Sequence, residues 1–346
     1  MMDWLRRLFG GKPAPPRPSP SPPRTPVLTP DDLRDLARRC GLGDVAEELV
    51  ALTEPVFHIL AGPPAPDAPL GATRLGGAPD LPPGSTWPRG RFGLASFLGQ
   101  FDLADVRART GSDGLPPSGL LSLFVVEIES AADPVIVLPM LTPAGAPLKR
   151  LPPPASDEAF GSDIGLLKPV SVAAFQPGVS LSRGDVERLD LEARYPEADI
   201  FAFELGLAEP VPGAIGQWLG RDFDGHDDDQ RQVAHARRIG RPDIKRYAFI
   251  SDWPEWERLK QQSSRLANGT IYRPWTDRGD ADVRWLLDHR AVFDTGVEAL
   301  RLLVRIESNR AMDLWINDAD PIYVLVDAER LAVGDLSELH ATVTQS

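Results

Sequence analysis

Short β-branched and aromatic runs recur along most of this chain, at residues 97–103, 119–129, 134–139, 170–176, 200–206, 246–250, 299–307 and 321–327. Each reads as a strand bounded by proline, glycine or polar turn residues. Helical patterns fall between only some of them, at 103–109, 185–194, 228–239, 254–267, 281–289 and 327–333. Parallel neighbours are joined by crossovers, so a doubly wound sheet needs strands and helices to alternate. The irregular order predicts an α+β fold instead, with a mixed or antiparallel sheet core and peripheral helices.

Two of the strands resemble each other. Phe97-Leu98-Gly99-Gln100-Phe101-Asp102-Leu103 and Leu302-Leu303-Val304-Arg305-Ile306-Glu307-Ser308 each place a polar residue and an acid two positions apart in an apolar run. A strand's side chains alternate with a period of two. That period assigns Leu98, Gln100 and Asp102 to one face, and Phe97, Gly99 and Phe101 to the other. It divides Leu303, Arg305 and Glu307 from Leu302, Val304 and Ile306 in the same way. A second strand follows each, Gly119 to Val125 and Pro321 to Val326. Two strand-loop-strand copies imply an internal duplication about a pseudo-two-fold axis, with repeat units at about 70–140 and 297–340.

The region before the strands divides in two. Prolines at 13, 15, 16, 18, 20, 22, 23, 26 and 30 remove backbone donors and fix φ, so residues 1–30 read as a disordered, extended linker. Within it, residues 3–9 carry Trp4, Leu5, Leu8 and Phe9, a segment too short to hold a membrane firmly and expected to be a frayed terminus. Residues 31–54 read as a helical segment. Thr29-Pro30-Asp31-Asp32 supplies a cap, a first-turn proline and acids, and Gly41-Leu42-Gly43 breaks the helix before a second one over 44–52. Gly41 to Ala46 matches GxGxxA, but a dinucleotide loop follows a strand, and here a charged helix precedes it. Residues 55–346 then form the duplicated domain.

Charge is uneven. Residues 1–30 hold Arg6, Arg7, Lys12, Arg17 and Arg24 against Asp3, a formal +4, which leaves −17 on the body of a chain whose net charge is −13. An acidic body repels phosphate backbones, so no nucleic-acid partner is expected, and a basic protein partner is. The single cysteine, Cys40, rules out a disulfide framework and a cysteine-based zinc site, and fits a reducing, cytoplasmic setting. No apolar stretch approaches the ~20 residues needed to span a bilayer, and no export signal is expected.

The ordered motifs resemble the YwqG-like family of bacterial proteins. The resemblance runs through Arg74-Leu75-Gly76-Gly77-Ala78-Pro79-Asp80-Leu81-Pro82, Trp87-Pro88, Phe97 to Leu103 and Leu115 to Leu121. It resumes at Gln217-Trp218-Leu219-Gly220, Leu302 to Glu307 and Trp315 to Ser337. The resemblance implies a duplicated α+β fold and no established biochemical activity, with a possible immunity-type role in a toxin system by association. The second half departs from the family pattern. Arg305-Ile306-Glu307 stands where the family has Gln-x-Asp, and Trp315-Ile316-Asn317-Asp318 replaces a tryptophan-glycine-aspartate turn.

No catalytic motif is legible. The five histidines lack paired spacing, and no GxSxG elbow occurs. Gly76-Gly77 lacks the lysine and hydroxyl of a phosphate loop and reads as a tight turn. Asp222 to Asp229 is rich in acids, but Val233 stands where a calcium loop has its glutamate, so a solvated loop is expected and no cofactor or metal. The binding candidates are Gln100, Asp102, Arg305 and Glu307, meeting at the pseudo-dyad as a pocket floor or as an ion-pair network in which Arg305 answers Asp102 or Glu307. Trp87, Trp315 and Asp318, which stand in the motifs above, complete the set. The leading reading is a non-enzymatic protein-interaction module; the alternative is an enzyme or small-ligand-binding protein with its cleft between the repeats.

Overall fold

The computed structural model describes residues 26–90, 92–127, 136–155, 159–162, 164–222, 226–263, 277–316 and 319–343. The proline-rich stretch up to residue 25, with its apolar segment 3–9, lies outside them. Helix α1 (Pro30–Arg39) starts where its capping box dictates: the Thr29 hydroxyl accepts from the Asp32 N–H, and the Asp32 carboxylate accepts from the Thr29 N–H. The helix ends at Gly41, whose φ of +77° permits the left-handed turn. A 3-10 turn (Gly43–Val45) and α2 (Ala46–Ala51) complete this layer before Pro55.

The chain then builds a ten-stranded sheet in which every neighbouring pair is antiparallel. Its strands are β1 (Glu54–Pro64), β2 (Arg74–Leu75), β4 (Ser96–Asp102), β5 (Leu120–Glu127), β6 (Ile136–Thr142), β8 (Val170–Ser180), β9 (Ala214–Trp218), β10 (Leu300–Ile306), β11 (Ile322–Asp327) and β12 (His340–Val343). They lie in the order β12-β11-β10-β9-β1-β8-β2-β4-β5-β6. Two short strands, β3 (Asp80–Leu81) and β7 (Lys149–Arg150), pair separately. The sheet curls until its end strands β6 and β12 approach each other and it nearly closes into a barrel. Phe101 and Trp218, from strands four places apart, meet across the interior with ring centroids 4.8 Å apart.

That curl defines two faces. The inner one is apolar and includes Leu98, Phe101, Leu121, Trp218, Leu303, Val304, Ile306 and Val324. Outside, one cluster gathers Leu81, Phe97 and Phe124, and another Leu302, Tyr323 and Leu325. Strict alternation fails at matching points: a register shift falls between Phe97 and Gly99, and another between Leu302 and Val304. Each bulge turns the leucine at 98 or 303 inward, so Leu98 packs with Phe101 rather than opposite it.

Helices surround the sheet: α3 (Leu103–Thr110), whose Leu103 and Val106 join the inner cluster, α4 (Arg183–Glu187), α5 (Glu197–Leu207), α6 (His226–Arg238), α7 (Trp253–Ser263), α8 (Asp277–Asp288), α9 (Arg290–Glu298) and α10 (Ala328–Ala332), whose Leu331 packs against the same cluster. The mixed α+β class is therefore correct, and two expected strands are not. Residues 200–206 belong to α5, which buries Ile200, Phe203 and Gly206 at a spacing of three against the α1 layer. Residues 246–250 begin in the last two positions of a 3-10 turn (Pro242–Tyr247), with Tyr247 and Ile250 among the helices around Trp256. Apolar runs of this length fit a buried helix as well as a strand, and tertiary packing decides between them.

Candidate functional site

Two polar clusters occupy the outer face of the sheet. In the first, Arg74 on β2 sits directly opposite Gln100 on β4. Gly76 and Gly77 turn the chain with φ of +65° and +79°, which carries Asp80 back over the pair. A Cβ at either glycine would press on the Lys168–Pro169 segment, so the turn needs both. Arg74 Nη2 lies 3.2 Å from Asp80, and Arg150 Nε lies 2.9 Å from the same carboxylate. Burial by itself would raise the Asp80 pKa, but hydrogen bonds from Arg150, the Gly71 N–H and Gln100, with the Arg74 charge, hold it below the usual carboxylate value. Gln100 uses both ends of its amide. Its Oε1 accepts from the Asp80 N–H at 3.0 Å, and its Nε2 donates to Ala72 O at 2.9 Å and to Asp80 at 2.8 Å. Arg74, Asp80 and Gln100 are all at most 1% exposed, and this cluster is sealed.

The second cluster uses the same pair with the partners exchanged. Gln217 on β9 sits opposite Arg305 on β10. Leu219 and Gly220 turn the chain with φ of +59° and +81°, and Asp222 returns buried beneath them. Arg305 Nη1 lies 2.6 Å from Asp222, and Nη2 lies 3.0 Å from Glu307. Tyr323, the residue opposite Arg305 on β11, donates its hydroxyl to Asp222. Burial, together with the Asp222 charge, pushes the Tyr323 phenol far above its ordinary value, so it acts as a fixed donor.

Here the outer face is not sealed. A cavity of about 430 Å³ opens between β1, β9 and β10 and the α1–α5 layer. His58, Gln217, Asp222, Arg305 and Glu307 form its polar wall, and Leu33, Val56, Leu181 and Val211 its apolar one. Burial and the nearby Arg305 charge lower the His58 pKa, which keeps the imidazole neutral. Arg221 extends the wall and is held by Glu54 at 3.0 Å.

The four residues expected at a central pocket do not meet. Gln100 and Arg305 lie on strands five places apart in the curled sheet, both on its outer face, while the space between the halves is filled by apolar side chains. Asp102 caps α3, accepting from the Ala104 N–H at 3.0 Å. Arg305 does answer Glu307, as one of the two expected partners, but its shorter contact is Asp222 rather than Asp102. Trp87 donates to Ala95 O at 2.7 Å and packs on the outer cluster beside Phe97. Trp315 is 61% exposed, and Asp318 lies outside the described residues. In the acidic stretch, Asp222 is buried rather than solvated, 223–225 lie outside the described residues, and α6 begins at His226. Among the described residues, no group of three or more histidines, cysteines or acids is placed to hold a metal ion.

Sequence reasoning missed Asp80, Asp222, His58, Gln217 and Tyr323. One signal was present: a polar residue, an apolar one, a glycine turn and then an acid recur in Arg74 to Asp80 and in Gln217 to Asp222. A family model described as a domain of unknown function, DUF1963, matches residues 73–136, which hold most of the sealed cluster. No curated protein matches the chain. Among the described residues, no helix is long and apolar enough to cross a membrane.

Proposed function

We propose that this chain is a small-ligand-binding protein on an internally duplicated fold, and that its binding site is the cavity beside Gln217 and Arg305. The duplication reading is supported by four matched features: the bulges at Leu98 and Leu303, the crossed arginine–glutamine pairs, the paired left-handed turns, and the buried acids Asp80 and Asp222. On that reading each repeat is wider than its central hairpin: β2, β4, β5 and β6 with β8 answer β9, β10, β11 and β12 with β1. A second copy that need not seal its polar row can diverge toward binding. The DUF1963 match, confined to the first copy, agrees with such divergence.

The observation that carries the binding reading is the cavity itself. It is of small-molecule size, with an apolar wall and a few convergent polar groups, which is the usual make-up of a ligand pocket. Most of the site lies on the second copy, with Val179 and Ser180 of β8 at its edge. Native mass spectrometry of the purified protein and an NMR-detected fragment screen test it, with Ala214→Leu as the control that fills the cavity. We expect fragments that perturb the signals of β1 and β9 in the parent and not in the variant. Fragments bound equally by the variant, or none bound at millimolar concentration, would reject the reading.

A second reading rests on charge. With −17 outside residues 1–30, the surface suits a basic protein partner, as an interaction module of immunity type requires. Capture at moderate salt, repeated with acidic surface residues reversed, tests it; a partner retained by the reversed protein would count against it.

A further inference from the structure

Most polar groups on the cavity wall are already engaged. Its hydroxyls bond the chain itself: Thr53 donates to Val50 O, Ser180 to Glu54 O and Ser308 to Asp320 O. Its charges answer one another. Arg305 lies between Asp222 and Glu307, at 2.6 and 3.0 Å, and Arg221 lies 3.0 Å from Glu54. A ligand of either sign would have to compete for one of these pairs, and a buried charge that loses its partner is costly. Glu209 is partly exposed, so solvent answers its charge.

Two neutral side chains remain, and they are neighbours. His58 on β1 stands directly opposite Gln217 on β9 in the strand register. Burial and the Arg305 charge hold the imidazole neutral, and its Nε2 is buried with no hydrogen-bond partner among the described residues. Gln217 is 7% exposed, and its Nε2 donates to the carbonyls of Arg221 at 3.0 Å and Leu219 at 3.4 Å. Its Oε1 accepts no hydrogen bond from the described residues, whereas the matching oxygen of Gln100 takes the Asp80 N–H. A neutral imidazole brings one donor and one acceptor, and an amide oxygen is an acceptor alone. Residues opposite in register hold their Cβ atoms about 4.5–5.5 Å apart, close enough for one small head group to meet both.

We infer that the ligand is an uncharged amphiphile, a primary aliphatic carboxamide, whose N–H donates to Gln217 Oε1, whose carbonyl accepts from the His58 imidazole and whose chain lies on Leu33, Val56, Leu181 and Val211. The inference rests on the reading of the cavity as a ligand site. A carboxamide carries its donor and its acceptor on separate atoms, which suits two neighbouring groups on a wall, while a hydroxyl has a single oxygen for both. It also leaves the ion pairs of the wall closed. The alkyl chain gains by leaving water for the apolar side.

Titration of the full chain with hexanamide, hexylamine, hexanoate and hexanol, followed by NMR, separates head group from cavity. Hexanamide should bind at least about tenfold more tightly than the amine or the acid, a difference of about 1.4 kcal/mol. Its affinity should not change with added salt. His58→Leu and Gln217→Met should each weaken hexanamide several-fold more than they weaken hexanol. The amine, the acid or hexanol binding as tightly as the amide, or amide affinity unmoved in both variants, overturns the inference and leaves the cavity reading standing. If none of the four binds, both fail. Should Gln217→Met not fold, His58→Leu alone decides, since it removes no hydrogen bond made among the described residues.

Discussion

Arg74 and Arg305 sit in matching places on the outer face of the sheet, each opposite a glutamine and each answered by a buried aspartate. Around Arg74 the protein closes the site with its own chain: Arg150 is delivered by β7, and Trp87, Phe97 and Leu151 pack alongside. Around Arg305 the covering layer stands back, and Tyr323 meets the aspartate in place of a second arginine. The comparison teaches that a buried polar row can be structural or receptive depending on what covers it. Side chains buried among one another are out of a ligand's reach, while those that line a cavity stay within it.

Substitutions sharpen this difference. The largest effect is expected from Asp80→Ala, which strands Arg74 without its counter-charge and should cost about 3–5 kcal/mol, read as a lower urea midpoint. Acid exposes the same group. With its folded pKa held below its unfolded value, Asp80 contributes stability that is complete above about pH 4 and lost as pH falls through the folded pKa. Next comes the glutamine pair: Gln100→Ala should cost about 2–3 kcal/mol, against about 1 for Gln217→Ala, which among the described residues bonds through its Nε2 alone. Equal losses would break the distinction between sealed and open.

Tyr323→Phe removes a donor to buried Asp222 and should cost about 1.5 kcal/mol, checked by thermal unfolding at neutral pH. In the open site the titrating group is His58. Its folded pKa is lowered, so the unfolded chain takes the proton first and stability declines as pH drops below about 6.5. His58→Leu should flatten that slope, measured by stability at pH 7 and pH 5. Glu307→Gln should change stability least, by about 0.5 kcal/mol or less. A larger loss would mean that Glu307 belongs to the structural network rather than to the receptive wall.

The strand runs at 97–103, 119–129, 299–307 and 321–327 were legible because apolar, β-branched and aromatic residues cluster there between recognisable turns. So was α1, through its cap. β9 was harder to see: Ala214 to Trp218 is short and interrupted by glycine and glutamine, and its place is set by the strands on either side. The site was legible only in part. Arg305 and Glu307 stood out, but Asp222, which is buried, was hidden in a run of acids with the same side-chain chemistry.

By itself, then, the sequence determined the local elements: the caps, the glycine turns, the alternation that marks strands, and the pairing of a polar residue with an acid in two places. These depend on neighbours within a few positions, where backbone sterics and side-chain periodicity act. The tertiary structure decided which polar row would be covered. The curl of the sheet turned both rows outward and away from each other, and distant segments then sealed one and left the other facing a cavity. Enclosure depends on contacts between residues far apart in the chain, such as Arg150 with Asp80 and Tyr323 with Asp222, and no local pattern encodes those.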